Sequence, residues 1–504
     1  MRLPASTVAL AALCLTAAHA KPPAWAGYAA NAQHTAAAPK PGKKLAKILW
    51  QTPVDLDPQY QDDELFIHYA SPMITAANTV VLAVKTTATG GWQLEGRAGA
   101  TGSQLWTLPS DFVAPSSEWT PAFPAGMAPT ETVYEAGAAG TVLYRTQPDQ
   151  ATGSTGRYAF YGLSVYQNNV AALTKAVQIN TPITVGADKA MYFGFLVTEK
   201  NPANLSSGIA RLTTGGGGAG GGGATWVSAA AASGDKTMTE VSFNCAPAIS
   251  PDGSTVYVAV SNGSSGYLLG LDSKTLKTLY KVALVDPSSG QPAMLPDIAS
   301  SAPTVGPDGD VYYGVLENPF PNHDNRGWLL HFDKTLKTLK TPGSFGWDDT
   351  ASLVPSSAVP SYTGTSSYLL MTKYNNYYGV GPLGDGHNRI AVLDPNATQQ
   401  DEYSKQPVTV MQEVLTILGP TQFPGDPQGA VYEWCDNNAV VDAATQSVFA
   451  GSEDGHLYRW SLASNSFTQK ALLNQPQAEA YTPSLVGPDG TVYAINNAVL
   501  YAVR

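Results

Sequence analysis

Glu433, Trp434, Cys435, Asp436, Asn437 and Asn438 follow one another without a break, so carboxylates, amides, a thiol and an indole share one short stretch. Carboxylate and amide oxygens are the donors calcium takes, and an indole beside them offers a stacking face. Trp347-Asp348-Asp349 has the same character, as do Glu118-Trp119, His68-Tyr69 and the stretch from Glu479 to Tyr481. Such groups grip a ligand by stacking plus hydrogen bonds. The candidate contacts are Tyr69, Glu118, Trp119, Trp347, Asp348, Glu433, Trp434, Asp436 and Tyr481. No EF-hand spacing orders the oxygens, so no metal ligand is assigned. His323, His387 and His456 each sit in a turn-like segment and read as surface imidazoles.

Motifs for covalent or metal catalysis are missing. There is no G-x-S-x-G elbow, no H-E-x-x-H helix, no phosphate-binding Walker loop and no C-x-x-C-H haem site. The run Thr214–Thr225 formally satisfies G-x-G-x-x-G, but no strand-to-helix context surrounds it. No catalytic residue is assigned.

Composition narrows the class further. The formal charge is -11 over 504 residues and there is no basic run, which argues against nucleic acid. Arg2, the apolar run Val8–Leu15 and Ala18-His19-Ala20 together read as a signal peptide over residues 1–20, cleaved before Lys21. The apolar run is too short to span a bilayer. The expected location is therefore periplasmic or extracellular, and the expected state a monomer. An oxidising compartment permits a disulfide between Cys245 and Cys435, but their separation in the sequence leaves the pairing open.

What must position these groups is a repeat. Ala246 opens "APAISPDGSTVYVAV", Ala302 opens "APTVGPDGDVYYGV" and Thr482 opens "TPSLVGPDGTVYAI". Each phrase is a short strand, a Pro-Asp-Gly turn and a β-branched and aromatic strand. After the copy at Ala246, "YLLGLD" and "LYKVAL" add two more strands, so one unit has four. Weaker copies begin at Ser71, Thr120, Thr181, near Ser356 and at Asn437. Units of this size and strand count predict an all-β fold, an eight-bladed propeller of four-stranded antiparallel blades. The last unit has three strands, and Ala46–Val54 is an orphan strand at the other end of the chain, so it is expected to close the ring. The Gly-rich run lies between two strands of one unit and reads as an overgrown hairpin turn. The division is a signal peptide at 1–20, a lead-in segment at 21–45 and one propeller at 46–504. In such a ring the residues just before each phrase crowd one mouth of the central channel, and the candidate contacts fall there.

The segment Trp25–Pro39, with Trp25, Asn31, His34 and Thr35, resembles the lead-in of secreted pyrroloquinoline-quinone-like propeller proteins. "GATGSQLW" from Gly99 to Trp106 is similar to that family's blade-ending phrase through Thr101, Gly102 and Trp106, with Gly99 where an Asp is usual. The resemblance implies a propeller fold. It leaves activity open, because the family holds quinoprotein dehydrogenases, envelope scaffolds and proteins of no known role. The dehydrogenases need an Asp base, calcium ligands and often two adjacent cysteines, and no matching motif anchors these here. The expected function is an exported binding or scaffold propeller that recognises a small molecule, glycan or envelope protein at one face. The alternative is a divergent quinoprotein oxidoreductase acting on an alcohol or sugar with pyrroloquinoline quinone and calcium.

Overall fold

The computed structural model describes residues 22–61, 64–214, 223–297, 299, 301–319, 326–379, 383–425, 428–434, 436, 438–475 and 483–504. Eight antiparallel sheets follow one another as an eight-bladed propeller. Blade one spans 73–110, two 125–158, three 177–228, four 240–283, five 304–332, six 352–418 and seven 440–472. Blade eight takes three strands from 485–503 and its outer strand from Ile48–Pro53, which pairs antiparallel with Val499–Val503. That pairing closes the ring and removes the open edge that a three-stranded last blade would leave. Gly208–Leu212 and Ala224–Ser228 are paired neighbours, so the glycine run does sit between two strands of blade three; residues 215–222 lie outside the described set.

The repeated phrase explains itself physically. Its turn needs a left-handed residue, and Gly253, Gly309 and Gly490 have φ of 72°, 91° and 84°. The Asp before each glycine accepts the backbone N–H two residues on: Asp252 from Ser254 at 3.0 Å, Asp308 from Asp310 at 3.1 Å, Asp489 from Thr491 at 3.0 Å. The tyrosine of the second strand crosses to the next blade. Tyr192 donates to Ser273 O at 2.7 Å, Tyr257 to Lys334 O at 2.7 Å and Tyr493 to Gly99 O at 3.4 Å. Each buried ring thus satisfies its hydroxyl on a turn of its neighbour while its body fills the seam.

The blade-ending phrase locks seams in the same way. Trp106 Nε1 donates to Pro148 O in blade two at 2.6 Å, and Arg145 lies 4.4 Å over its ring. Trp50 Nε1 donates to Gly99 O at 2.7 Å, joining blade eight to blade one. A Cβ on Gly99 would come within 2.6 Å of Asn78, which is why no Asp stands there.

Blade five departs from the pattern. Its sheet has three strands, and 339–343 covers the outer edge through isolated bridges, Phe332 to Leu339 and Leu329 to Gly343. Blade six compensates with a long hairpin, Arg389–Gln400 and Thr409–Leu418, whose register shifts between Asp394 and Thr398. Past that bulge the hairpin reaches over blade five: Met411 N bonds Pro342 O at 2.8 Å, and Val408 and Val410 join the core shared with blades four and five. Arg326 anchors the tip. Its guanidinium binds Asp401 at 2.9 and 3.1 Å and stacks 4.2 Å over Trp328.

Candidate functional site

The channel axis is where the inner strands bring the candidate residues. Its floor is the lead-in segment. Trp25 exchanges bonds with Ile74 of blade one at 3.0 and 2.8 Å, and Ala26 O accepts from Met127 of blade two at 2.8 Å. Ala32 O accepts from Ile249 of blade four at 2.7 Å, Gln33 O from Val305 of blade five at 2.9 Å and Thr35 O from Leu353 of blade six at 3.1 Å. Ala36 O accepts from Val441 of blade seven at 2.9 Å, and Lys43 N donates to Gly490 O of blade eight at 2.7 Å. To wind this tightly, Ala29, Ala30, His34 and Ala36 take positive φ of 48°, 78°, 61° and 50°. Small side chains limit the crowding that such a coil produces. His34 is buried, with Nδ1 2.6 Å from Pro303 O, and burial pulls its pKa down to about 4.

Tyr28 rises from that floor into the axis. Its hydroxyl lies 2.8 Å from Thr350 Oγ1, and burial raises its pKa well above the usual phenol range. Towards the mouth, amides bridge the blades. Asn244, itself left-handed, accepts from Ala122 N at 2.9 Å, donates to Ala299 O at 3.1 Å and lies 3.5 Å from His68 Nδ1. Asn438 Nδ2 donates to Thr350 O at 2.7 Å and Asn180 Nδ2 to Val241 O at 2.8 Å. The space left among Tyr28, His68, Asn244, Ala122, Pro182 and Pro483 is about 20 Å³, room for about one water.

Beside it, blades six and seven bring acids together. Asp348 Oδ2 lies 3.9 Å from Lys373 Nζ, and both side chains are buried. Burial raises the neighbouring Asp349 well above the carboxylate range, Lys373 opposes that shift, and Asp348 and Asp436 reinforce it. Asp436 accepts from Ser484 N at 3.2 Å and Gly451 N at 3.1 Å, and burial raises it to about 6 despite those bonds. Cys245 is a free buried thiol whose pKa burial raises to about 12, so it is a poor nucleophile; Cys435 lies outside the described residues.

The other candidates distribute as follows. Trp119 is buried and stacks on His68 with ring centroids 5.1 Å apart. Tyr69 turns its hydroxyl to Asp55, 3.2 Å away, which also holds Lys85 at 2.9 Å. Glu433 accepts from Asn375 Nδ2 at 3.0 Å and from the Tyr377 hydroxyl. Trp347 packs on Leu316 and Ala299, and Trp434 packs on Phe467 and Tyr458. Glu118 is exposed, and Tyr481 lies outside the described residues. Of the candidates, the structure therefore gathers Asp348 and Asp436 around Asp349. His387 and His456 each sit on an Asp of their own turn, at 3.0 and 3.2 Å, and His323 lies outside the described residues. Lys373 and Tyr28 are the groups that sequence reasoning passed over. The signal for Lys373 was a lone cation in the apolar run Tyr368–Tyr374.

Solved structures with the same architecture include a quinohaemoprotein alcohol dehydrogenase from Comamonas testosteroni. It aligns with TM-score 0.52 and 10% identity over 96% of this chain and 81% of that one. A europium-containing methanol dehydrogenase aligns with TM-score 0.55 and 9% identity over 94% and 89%. BamB from Moraxella catarrhalis gives TM-score 0.47 and 12% identity over 90% and 98%. This chain has the fold of those dehydrogenases. Identities this low speak to the propeller fold alone. No protein-family model and no curated protein matches the sequence.

The alternative implied by the sequence resemblance, pyrroloquinoline quinone with calcium, asks for room and for oxygen ligands on this axis. A ligand of that size needs a pocket of roughly 300 Å³ or more, and the cavity between Tyr28 and Asn244 holds about 20 Å³. Asp348 and Asp349 already face the Lys373 ammonium. Among the described residues no three His, Cys, Asp or Glu side chains are placed to hold a metal ion. The residues present do not fit the quinone with its cation, and no step is derived through either.

Proposed function

We propose that this chain is an exported propeller that acts by binding, holding a partner protein on the mouth face rather than turning over a substrate in its channel. The filled axis carries this reading: Tyr28 from below and Asn244 from above leave space for one water. The mouth face itself offers contact groups. The loop 375–388 of blade six packs on the crossover 419–434 through Val431 N to Gly386 O at 3.0 Å and Asn388 Nδ2 to Val431 O at 2.9 Å. On these two loops Tyr378, Leu383 and Phe423 remain 48%, 46% and 38% exposed. Exposed aromatics held on a braced pair of loops suit a protein interface. Export rests on the signal-like sequence before Lys21.

The test has two arms. Purified protein given pyrroloquinoline quinone and calcium should show no bound-quinone absorption band and no dye reduction with alcohols or sugars. Dye reduction above the free-quinone background would overturn the reading. In the second arm, a partner that co-purifies from envelope fractions should be lost with the Tyr378→Ser and Phe423→Ser pair while the protein stays folded. Retention of the partner would move the interface elsewhere.

A further inference from the structure

Blades four and five both carry the Pro-Asp-Gly turn, and between the two turns, on the face opposite the mouth, lies a groove of about 310 Å³. Its floor is aromatic. Tyr257, Gly270 and Tyr280 are cross-strand neighbours on one face of blade four. A Cβ on Gly270 would come within 2.8 Å of Tyr280 Cδ2, so the half-buried Tyr280 ring lies across the glycine and shows a face to the groove.

The walls carry charge of both signs. Asp252 Oδ1 is filled by Ser250 Oγ at 2.6 Å and by Ser254 N and Oγ at 3.0 and 2.7 Å. Those bonds hold its pKa down to about 2, so it stays ionised, and no side chain bonds its second oxygen among the described residues. Across the groove, Lys334 lays its stem over Gly309, whose Cβ would meet Lys334 Cβ at 3.1 Å. Its exposed ammonium makes no ion pair among the described residues. Asp308, also on the wall, is tied to the Tyr368 hydroxyl at 2.9 Å.

A purely anionic ligand meets Asp252 and Asp308 here, and a purely cationic one meets Lys334. A hydroxyl suits both, because it donates to a carboxylate and accepts from an ammonium. A ring of hydroxyls with an apolar C–H face also covers Tyr280. The volume falls in the range of small-ligand pockets. We propose that this seam binds a neutral polyhydroxylated ring, a pyranoside, at a site separate from the mouth face.

Saturation-transfer NMR on the full chain, with maltose, gluconate and glucosamine as probes, tests this. Maltose should bind saturably in the millimolar range and more tightly than either charged sugar. Tyr280→Ala and Lys334→Met should each weaken it about tenfold, one platform or one charge-assisted bond lost. Lys334 is exposed, so its variant folds whatever happens to Tyr280. No saturation by about 50 mM, a site far weaker than roughly 4 kcal/mol of binding, overturns the proposal. So does tighter binding of gluconate or glucosamine, or maltose binding unchanged in Lys334→Met. None of these outcomes bears on the mouth-face reading.

Discussion

Among the described acids, Glu135 has both carboxyl oxygens buried without a hydrogen-bond partner. It lies in the strand Val133–Ala136 between Ala125 and Leu143 and is 0% exposed. Burial raises its pKa well above 4.5, Asp111 adds to the rise, and Arg157, itself bound to Asp111 at 2.8 Å, opposes it. Burial favours the neutral form of this group in the fold, whereas the unfolded chain ionises near 4.5. The sign follows. Stability from this group is intact below that value and falls as pH rises towards the native one. Each pH unit between the unfolded and the native value costs about 1.4 kcal/mol, so the cost of keeping Glu135 buried grows from acid towards neutral pH. Glu135→Gln keeps the shape and has no proton to lose. In urea unfolding the variant should gain up to about 3 kcal/mol over the parent at pH 7, with the gain gone by pH 4. A gain of equal size at both pH values, or a less stable variant at pH 7, refutes the reasoning.

Two further predictions concern the seams. Arg326→Met strands the fully buried Asp401 carboxylate and should cost about 3–5 kcal/mol, with the hairpin tip around 401–408 becoming protease-sensitive. Adding Asp401→Asn should restore most of that loss, and a double variant no better than the single one counts against the anchor. Trp106→Ala removes the bond to Pro148 O and the ring under Arg145. It should cost about 3–5 kcal/mol, read as the urea midpoint; a cost under about 1 kcal/mol would mean the lock carries little.

Much of the architecture was legible because it is local. A Pro-Asp-Gly turn between a short strand and a Val-Tyr strand needs only neighbouring residues, and its three copies together with five weaker strand-turn-strand copies gave eight blades. An orphan strand at Ala46–Val54 and a three-stranded last unit were complementary, and Ile48–Pro53 pairs there. Non-local features were out of reach. The coil at 25–43 fills the axis through bonds to residues hundreds of positions away, and nothing in "AANAQHTAAAP" signals that beyond its small side chains. Trp347 and Trp434 look alike in sequence to a stacking contact, since an indole near a turn suits packing or recognition equally. Asp348 and Asp436 both act on Asp349 across neighbouring blades six and seven. Blade six's hairpin over blade five was hidden, because its bulge at Asp394–Thr398 depends on tertiary contacts and not on a turn motif.

The buried groups set an unusual pH preference for the whole ring. His34 is held near 4, below its ordinary 6.5, so its contribution is intact above 6.5 and fades as pH falls towards 4, by about 3 kcal/mol at most. The buried acids act the other way. Glu135 and Asp349 are raised well above the usual carboxylate range, Asp436 to about 6, Glu317 to about 7 and Glu240 to about 8, each chiefly by burial. Every one of them makes the fold less stable as pH rises from the carboxylate range through its native value. The acids outnumber the histidine, so the net slope between pH 6.5 and 8 is downward. Below that range the unfolded chain's histidine takes up a proton while His34 in the fold stays neutral on Pro303 O until about pH 4, which offsets part of the acids' gain. The urea midpoint should therefore peak on the acid side of neutrality and decline towards pH 8, and Glu135→Gln should flatten that decline. A midpoint that climbs steadily from pH 5 to 8 would show that the buried acids do not govern the stability of the ring.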